Sequence, residues 1–169
     1  MELAWEALED AGVRSSRLKG SRCGVFIGIS SFDYVHRLAD DLSSVDSKTP
    51  TGNAGSIAAN RISYFLDARG PSMIIDTACS SALVALHEAC RSIQNGDSEC
   101  ALAGGVSLHF HPLGFLTFTK TGMLSPGGRC RTFDANADGY VRSEGGGILL
   151  LKPLEKAISE GDRLSLIHI

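Results

Sequence analysis

Residues 76–90 read DTACSSALVALHEAC, and they decide the fold class because they join a short apolar run to the clearest helical pattern in the chain. The preceding MIID (73–76) predicts a buried strand. In SSALVALHEACRSIQNG (80–96), Leu83, Leu86, Cys90 and Ile93 recur at intervals of three and four, which predicts a helix ended by Asn95-Gly96. The stretch holds two cysteines, and either could be a reactive group or a buried one.

The same alternation of strand and helix continues on both sides of this segment. Further strands are predicted at 23–29, 100–109 and 145–154. Helices are predicted from the N-terminus to a stop at Gly12, and at 30–42, 55–66, 112–122 and 154–161, with polar loops at 43–53 and 124–139. We therefore expect an α/β fold with a mostly parallel sheet.

Composition excludes several classes of function. The chain has 169 residues, of which 43% are hydrophobic and 21% charged, so it can form a sizeable core. Its net charge is −3, and it has no run of Lys and Arg that would bind nucleic acid or an anionic membrane. No apolar run approaches the ~20 residues of a membrane span. The acidic start MELAWEALEDAG does not fit a signal peptide, so we expect a cytoplasmic protein.

Position separates the two cysteines of the opening stretch. Cys79 follows the strand and precedes the helix, at the strand end where α/β folds place their sites. The free N–H groups and positive dipole end of the helix would favour a thiolate there, which is the nucleophilic form. Cys79 is therefore a candidate nucleophile, with a buried structural thiol as the alternative. Cys90 lies in mid-helix on the apolar stripe and is predicted to be a core residue.

Metal sites are weakly supported. The five cysteines include no CxxC pair, so neither a zinc site nor a set of disulfides is expected. DANADG (134–139) matches the start of a calcium loop, but Gly145 stands where the closing glutamate should be, so a solvated turn is preferred. His109 and His111 would share a face if the strand continued, but no third ligand has fitting spacing. No metal site is predicted.

The opening stretch resembles the active-site segment of β-ketoacyl synthases, and in particular the ketosynthase domains of type I polyketide synthases. Further segments that resemble this family in order and spacing are WEALEDAG (5–12), GVFIGIS (24–30), TGNAGSIAANRISYFLDARGPS (51–72), LAGGVSL (102–108), GMLSPGGRCRTFDANADGYVRSEG (122–145) and LLKPLEKAISEGD (150–162). The resemblance covers nearly the whole chain.

The resemblance implies a thiolase-like fold, an αβαβα layered sandwich, of which this chain would be an incomplete, mainly N-terminal half. It implies that Cys79 accepts an acyl group, with its own N–H as one oxyanion donor, and then takes part in a decarboxylative Claisen condensation with a malonyl-type extender. Implied partners are an acyl carrier protein domain, the acyltransferase and other domains of a megasynthase, and a second copy in a homodimer. No cofactor is bound directly; phosphopantetheine is carried by the carrier protein.

Two features depart from the family pattern. The family's HGTGT-like and NxGH-like histidine motifs do not occur, so the fragment alone is expected to be inactive. LSLIHI (164–169) replaces the expected strand and can be read as a translated sequencing-library adapter. Residues 1–163 are therefore predicted to be a partial ketosynthase domain, and 164–169 a non-native tail. Two rivals remain: a non-catalytic calcium-binding or interaction module, and a thiolase-type acyltransferase that uses coenzyme A.

Overall fold

The computed structural model describes residues 1–164, which form one mixed β-sheet with helices on both faces. The strands are β1 (Cys23–Gly28), β2 (Ser72–Ile75), β3 (Cys100–Ser107) and β4 (Gly145–Leu151). The helices are α1 (Glu2–Asp10), α2 (Asp33–Asp40), α3 (Thr49–Asn53), α4 (Gly55–Leu66), α5 (Ser81–Gln94), α6 (Leu113–Lys120) and α7 (Leu154–Ser159).

The strand order is β2-β1-β3-β4. Strand β1 pairs in parallel with β2 and β3, whereas β4 runs antiparallel to β3. The predicted α/β class with a mostly parallel sheet is confirmed. Because β1, β2 and β3 point the same way, the residues that follow all three strands lie at one edge of the sheet. That edge includes Cys79.

Both faces of the sheet are buried at β1, which explains the unbroken apolar run of this strand. On one face, Val25 and Ile27 pack with Leu8 of α1 and Ile62 of α4. On the other face, Phe26 packs against α5, together with Ala101 and Ala103 of β3 and Ala85 and Ala89 of α5. Alternate residues of β1 thus pack into two hydrophobic cores, one on each face of the sheet, and α5 packs on the face that contains Phe26.

The prediction of a core role for Cys90 is wrong, because Cys90 is exposed. The buried face of α5 consists of small residues, Ser81, Ala85, Ala89 and Ser92. Their spacing is also helical, and their size lets the helix backbone lie close to the sheet. The stripe of larger residues does not face the sheet directly. Leu86 and Ile93 are half-buried at the edge of the core, and Leu83 is 72% exposed.

The polar segment 43–53 is only partly a loop, since it contains α3 and a 3-10 turn at Leu42–Ser44. Pro50 lies in the first turn of α3, where its missing N–H costs nothing. Asp46 Oδ1 accepts hydrogen bonds from the N–H groups of Lys48 and Thr49 and from the Thr49 hydroxyl. The hydrogen bond from Thr49 and those from the backbone lower the pKa of Asp46. These local contacts make a short helix from residues typical of turns.

The ends of other elements shift by a few residues, and the predicted strand at 100–109 ends at Ser107. In residues 1–164, no helix is both long and apolar enough to cross a membrane. The prediction of a non-native tail at 164–169 concerns residues that, apart from Leu164, lie outside the described residues.

Candidate functional site

The segment between β2 and α5 is a sharp elbow. Strand β2 ends at Ile75, a 3-10 turn covers Ala78–Ser80, and α5 begins at Ser81. Ala78 has φ +55°, a left-handed conformation that costs a non-glycine residue roughly 1–2 kcal/mol. Such strain persists only where neighbouring contacts hold it.

Hydrogen bonds from both sides hold the elbow. Asp76 Oδ1 accepts from the Ala78 N–H at 3.0 Å. The Ser81 hydroxyl accepts from the Thr77 N–H at 2.9 Å and donates to the Ala78 carbonyl at 2.6 Å. The Ser80 hydroxyl donates to the Thr77 carbonyl at 2.8 Å. The turn is therefore braced by its own polar side chains, and Ser81, which is buried, serves two backbone groups.

Two glycines let the start of α5 lie directly on the sheet. A Cβ on Gly28, the last residue of β1, would be 2.5 Å from the Ala82 nitrogen and the Ser81 carbonyl carbon. A Cβ on Gly105, which pairs with Gly28 across β1 and β3, would be 2.8 Å from the Ala82 Cβ. Any larger residue at these positions would push the elbow away from the sheet.

Cys79 lies in this 3-10 turn and is exposed, directly ahead of the 14-residue α5. Within residues 1–164 its sulfur makes no hydrogen bond to a side chain or backbone group. The thiol is thus open to a large reactant at the positive end of a helix dipole. The arrangement suits a nucleophile that must meet an acyl group carried by another molecule.

His109 and His111 do not form a joint site, because β3 ends before them and each ring has other partners. His109 Nδ1 lies 3.3 Å from Arg142 Nη2, and its Nε2 lies 3.2 Å from the Ser143 carbonyl. A guanidinium can only donate a hydrogen bond and a carbonyl can only accept one, so these contacts fit Nδ1 as the acceptor and Nε2 as the donor. His111 Nδ1 accepts from the Leu113 N–H, and its Nε2 lies 3.4 Å from Asp40 Oδ2.

Sequence reasoning did not single out Arg142, which links the loop before β4 to α6. Its guanidinium lies 4.5 Å from the centre of the Phe118 ring and 5.5 Å from that of Phe115. Its buried Nε has no hydrogen-bond partner within residues 1–164. No local sequence signal points to this contact, because Phe115 and Phe118 lie on α6, far from Arg142 in the sequence, and only the fold brings them together.

The calcium-like loop uses its carboxylates internally. Asp134 Oδ1 accepts from the Asn136 N–H at 2.8 Å, and Asp138 Oδ1 accepts from the Ser125 hydroxyl at 2.6 Å. In the part of the chain that the structure describes, no three His, Cys, Asp or Glu side chains are grouped to hold a metal. The loop is an exposed turn between α6 and β4.

Comparison with known families gives a match over most of the chain. Residues 1–157 match the model of the β-ketoacyl synthase, N-terminal domain. The chain belongs to this family. Among curated proteins it is 49% identical over 166 residues to a phenolphthiocerol/phthiocerol polyketide synthase of Mycobacterium tuberculosis, and 49% identical over 164 residues to polyketide synthase ThaG of Burkholderia thailandensis.

Solved ketosynthases share the fold. A mutant of the ketosynthase from module 6 of the bacillaene synthase of Bacillus subtilis superposes with a TM-score of 0.87 at 41% identity, over 96% of this chain and 27% of that one. An oxazolomycin ketosynthase domain of Streptomyces albus gives 0.86 at 44% identity, over 96% and 29%. The fold is therefore the thiolase-like fold of ketosynthases, of which this chain represents a part. The two curated matches span 97% of this chain but only 8% and 3% of those relatives.

Proposed function

We propose that this chain is part of a ketosynthase of a polyketide synthase, and that its full-length protein joins an acyl chain to a malonyl-type extender by decarboxylative Claisen condensation. Residues 1–163 would belong to the ketosynthase domain, and 164–169 would lie outside it. Family membership supports the reaction class, and the exposed position of Cys79 at the β2–α5 elbow supports the residue that carries it.

In the proposed reaction, the Cys79 thiolate attacks the thioester carbonyl of an acyl group on a carrier protein. The new bond is the Sγ–acyl thioester, and the carrier's phosphopantetheine thiol leaves with the electron pair of the broken C–S bond. The Cys79 N–H, in the 3-10 turn just before α5, is proposed to donate to the oxyanion of the tetrahedral intermediate. A helix N-terminus would stabilise both the thiolate and this oxyanion.

In the second half of the reaction, the malonyl-type unit on another carrier protein loses carbon dioxide, and the electrons of the broken bond form the carbanion. That carbanion attacks the acyl group on Cys79, and the thiolate leaves. The chain is now longer by the extender unit and is held by the carrier protein. Two histidines outside this sequence are proposed to polarise the extender thioester, because His109 and His111 have other partners here.

The proposed partners follow from this chemistry. They are acyl carrier protein domains bearing phosphopantetheine, the acyltransferase and other domains of the same synthase, and a second ketosynthase copy, in the cytoplasm. Exposed apolar side chains on β2, α4 and α5 support the second copy, since Met73, Tyr64 and Leu83 would otherwise face water. Neither nucleic acid nor a membrane is proposed as a partner.

Acylation mapped by mass spectrometry tests the proposed nucleophile. The full-length protein is incubated with an acyl carrier protein thioester and digested with trypsin, and the acyl mass is expected on peptide 70–91, which contains both Cys79 and Cys90. Cys79→Ala should abolish the label and Cys90→Ala should retain it. The second variant is a matched control, because both cysteines are exposed, Cys79 just before α5 and Cys90 within it. A label that survives Cys79→Ala would refute the assignment.

The choice of donor distinguishes the second enzyme hypothesis. A thiolase-type acyltransferase would acylate Cys79 from acyl-coenzyme A and release product without loss of carbon dioxide. We expect the carrier-protein thioester to be the better donor, and condensation to require the malonyl-type extender. Nothing in the 134–139 loop favours the calcium-binding alternative, since Asp134 and Asp138 already hold the turn.

A further inference from the structure

A second pair of cysteines lies at the opposite end of the sheet from Cys79. Cys23 and Cys100 are the first residues of β1 and β3 and are register partners in the parallel ladder. Neighbouring strands lie about 4.8 Å apart, which falls within the roughly 4.4–6.8 Å that a disulfide requires between Cα atoms. Both side chains belong to the same face, where Cys100 packs against the cluster that contains Cys23.

The two thiols differ in access. Cys23 is fully buried, whereas Cys100 is half-buried and lines a cavity of about 530 Å³ between β4, α7 and the α1–β1 connection. A small reactant in this cavity would therefore meet Cys100 first. Cys23 would be reached only through Cys100.

The charges around this cavity favour a thiolate at Cys100. Glu99 is paired with Arg22 at 3.1 Å, and Lys152 is held by Glu160 and Asp162. Lys156 also lines the cavity, and within residues 1–164 it makes no ion pair. The neighbouring Cys23 thiol lowers the pKa of Cys100; burial opposes this shift, and the positive charge of Lys156 adds to it. The neighbouring Cys100 thiol and burial raise the pKa of Cys23, whose sulfur donates a hydrogen bond to the Gly24 carbonyl.

We propose that Cys100 is an oxidation site for hydrogen peroxide, and that Cys23 resolves the oxidised form as an intrachain disulfide. The Cys100 thiolate attacks one peroxide oxygen, the O–O bond breaks, and hydroxide leaves, so that sulfur is oxidised to sulfenic acid and peroxide is reduced. Cys23 then loses its proton and attacks the Cys100 sulfur, and the sulfenic oxygen leaves as water.

Peptide mapping tests this site independently of the proposed condensation. The folded full-length protein is treated with hydrogen peroxide, its free thiols are alkylated, and it is digested with trypsin. Cys23 lies in peptide 23–37 and Cys100 in peptide 92–120, whereas Cys79 and Cys90 share peptide 70–91. We expect a cross-linked 23–37/92–120 species that reduction with a dithiol removes, in both the native protein and Cys90→Ala.

Variants separate the two steps. In Cys23→Ala, the sulfenic acid should persist and be trapped by dimedone on peptide 92–120. Lys156→Gln should slow Cys100 oxidation severalfold, while Lys19→Gln, an exposed lysine outside the cavity, should not. If Cys23→Ala fails to fold, the presence or absence of the Cys23–Cys100 cross-link in the native protein still tests the proposal. The proposal is overturned if folded native protein gives no such cross-link, if Cys100 pairs with another cysteine, or if it oxidises no faster than exposed Cys90.

Discussion

Ser81 is the residue on which the elbow most depends, because one hydroxyl satisfies the Thr77 N–H and the Ala78 carbonyl. This contact was not predictable from the letters DTACSS. It exists only because Ala78 takes a left-handed conformation, and nothing in the sequence signals that alanine would do so. The position of Cys79 between strand and helix was predictable, since it needs only the two periodic patterns on either side.

Ser81→Ala should destabilise the protein by about 1–3 kcal/mol, because it leaves a backbone donor and a backbone acceptor without their buried partner. Denaturant unfolding of the full-length protein measures the change. Ser80→Ala is the control: its hydroxyl is exposed, and water can replace its contact with the Thr77 carbonyl, so a smaller loss is expected. Equal losses for the two variants would contradict the assigned role of Ser81.

Among the elements, α5 shows both what periodicity predicts and what it does not. The bounds of the helix follow from its pattern, and the structure agrees to within a residue or two. Which stripe is buried does not follow, since α5 has an apolar stripe of large residues and a second stripe of small ones. Close approach to Gly28 and Gly105 selects the small stripe, and that depends on strand neighbours far away in sequence.

Gly28→Ala should therefore displace the N-terminus of α5. Its Cβ would meet backbone atoms of Ser81 and Ala82, which cannot rotate away as a flexible side chain would. We expect destabilisation of about 1–3 kcal/mol and slower acylation of Cys79. Gly52→Ala is the control, because Gly52 lies within α3 with open space around it, and alanine there should be neutral or stabilising. A harmless Gly28→Ala would contradict the close packing.

The junction of β4 and α7 is held by Lys152, whose ammonium contacts both Glu160 and Asp162. Burial opposes its charge, but hydrogen bonds to Asp162 and Glu160 outweigh burial and raise the pKa of Lys152. The hydrogen bond from Lys152 lowers the pKa of Glu160. The cluster contributes fully to the free energy of unfolding at pH values above the ordinary glutamate pKa of ~4.3 and below the ordinary lysine pKa of ~10.4.

Lys152→Gln should lower the free energy of unfolding at neutral pH, because it removes the charged hydrogen bonds that join Lys152 to Asp162 and to the exposed Glu160. The difference from the native protein should shrink as pH falls through the lowered pKa of Glu160, where protonation weakens the cluster in the native protein as well. Unfolding at several pH values measures this, with Lys19→Gln as an exposed control. A pH-independent difference would contradict the role given to the carboxylates.

For the whole molecule, the described residues expose apolar side chains on several faces, including Leu83 and Phe133. Large exposed apolar areas mark surfaces that bind other protein. The resemblance to ketosynthases predicted that this chain is only part of the domain, and the chain covers 27% of a solved ketosynthase chain. The surfaces themselves could not be predicted, because the sequence does not say which apolar residues the local fold leaves uncovered.

Residues 1–169 expressed alone should bind a hydrophobic dye, self-associate and fail to condense acyl and malonyl carrier proteins. The physical reasons are the uncovered apolar faces of residues 1–164 and, within those residues, the lack of a histidine next to Cys79. Light scattering, dye fluorescence and product analysis provide the measurements. A monomeric, dye-free fragment that forms condensation product would contradict this expectation.

Condensation in the full-length protein tests the central role of Cys79 most directly. Acyl and malonyl carrier proteins are mixed with it, and the mass of the extender carrier is followed. With the native protein or Cys90→Ala, the extender carrier should gain the mass of the acyl group and lose that of carbon dioxide. With Cys79→Ala, no elongated product should form. Elongated product from folded Cys79→Ala at the native rate would contradict the account.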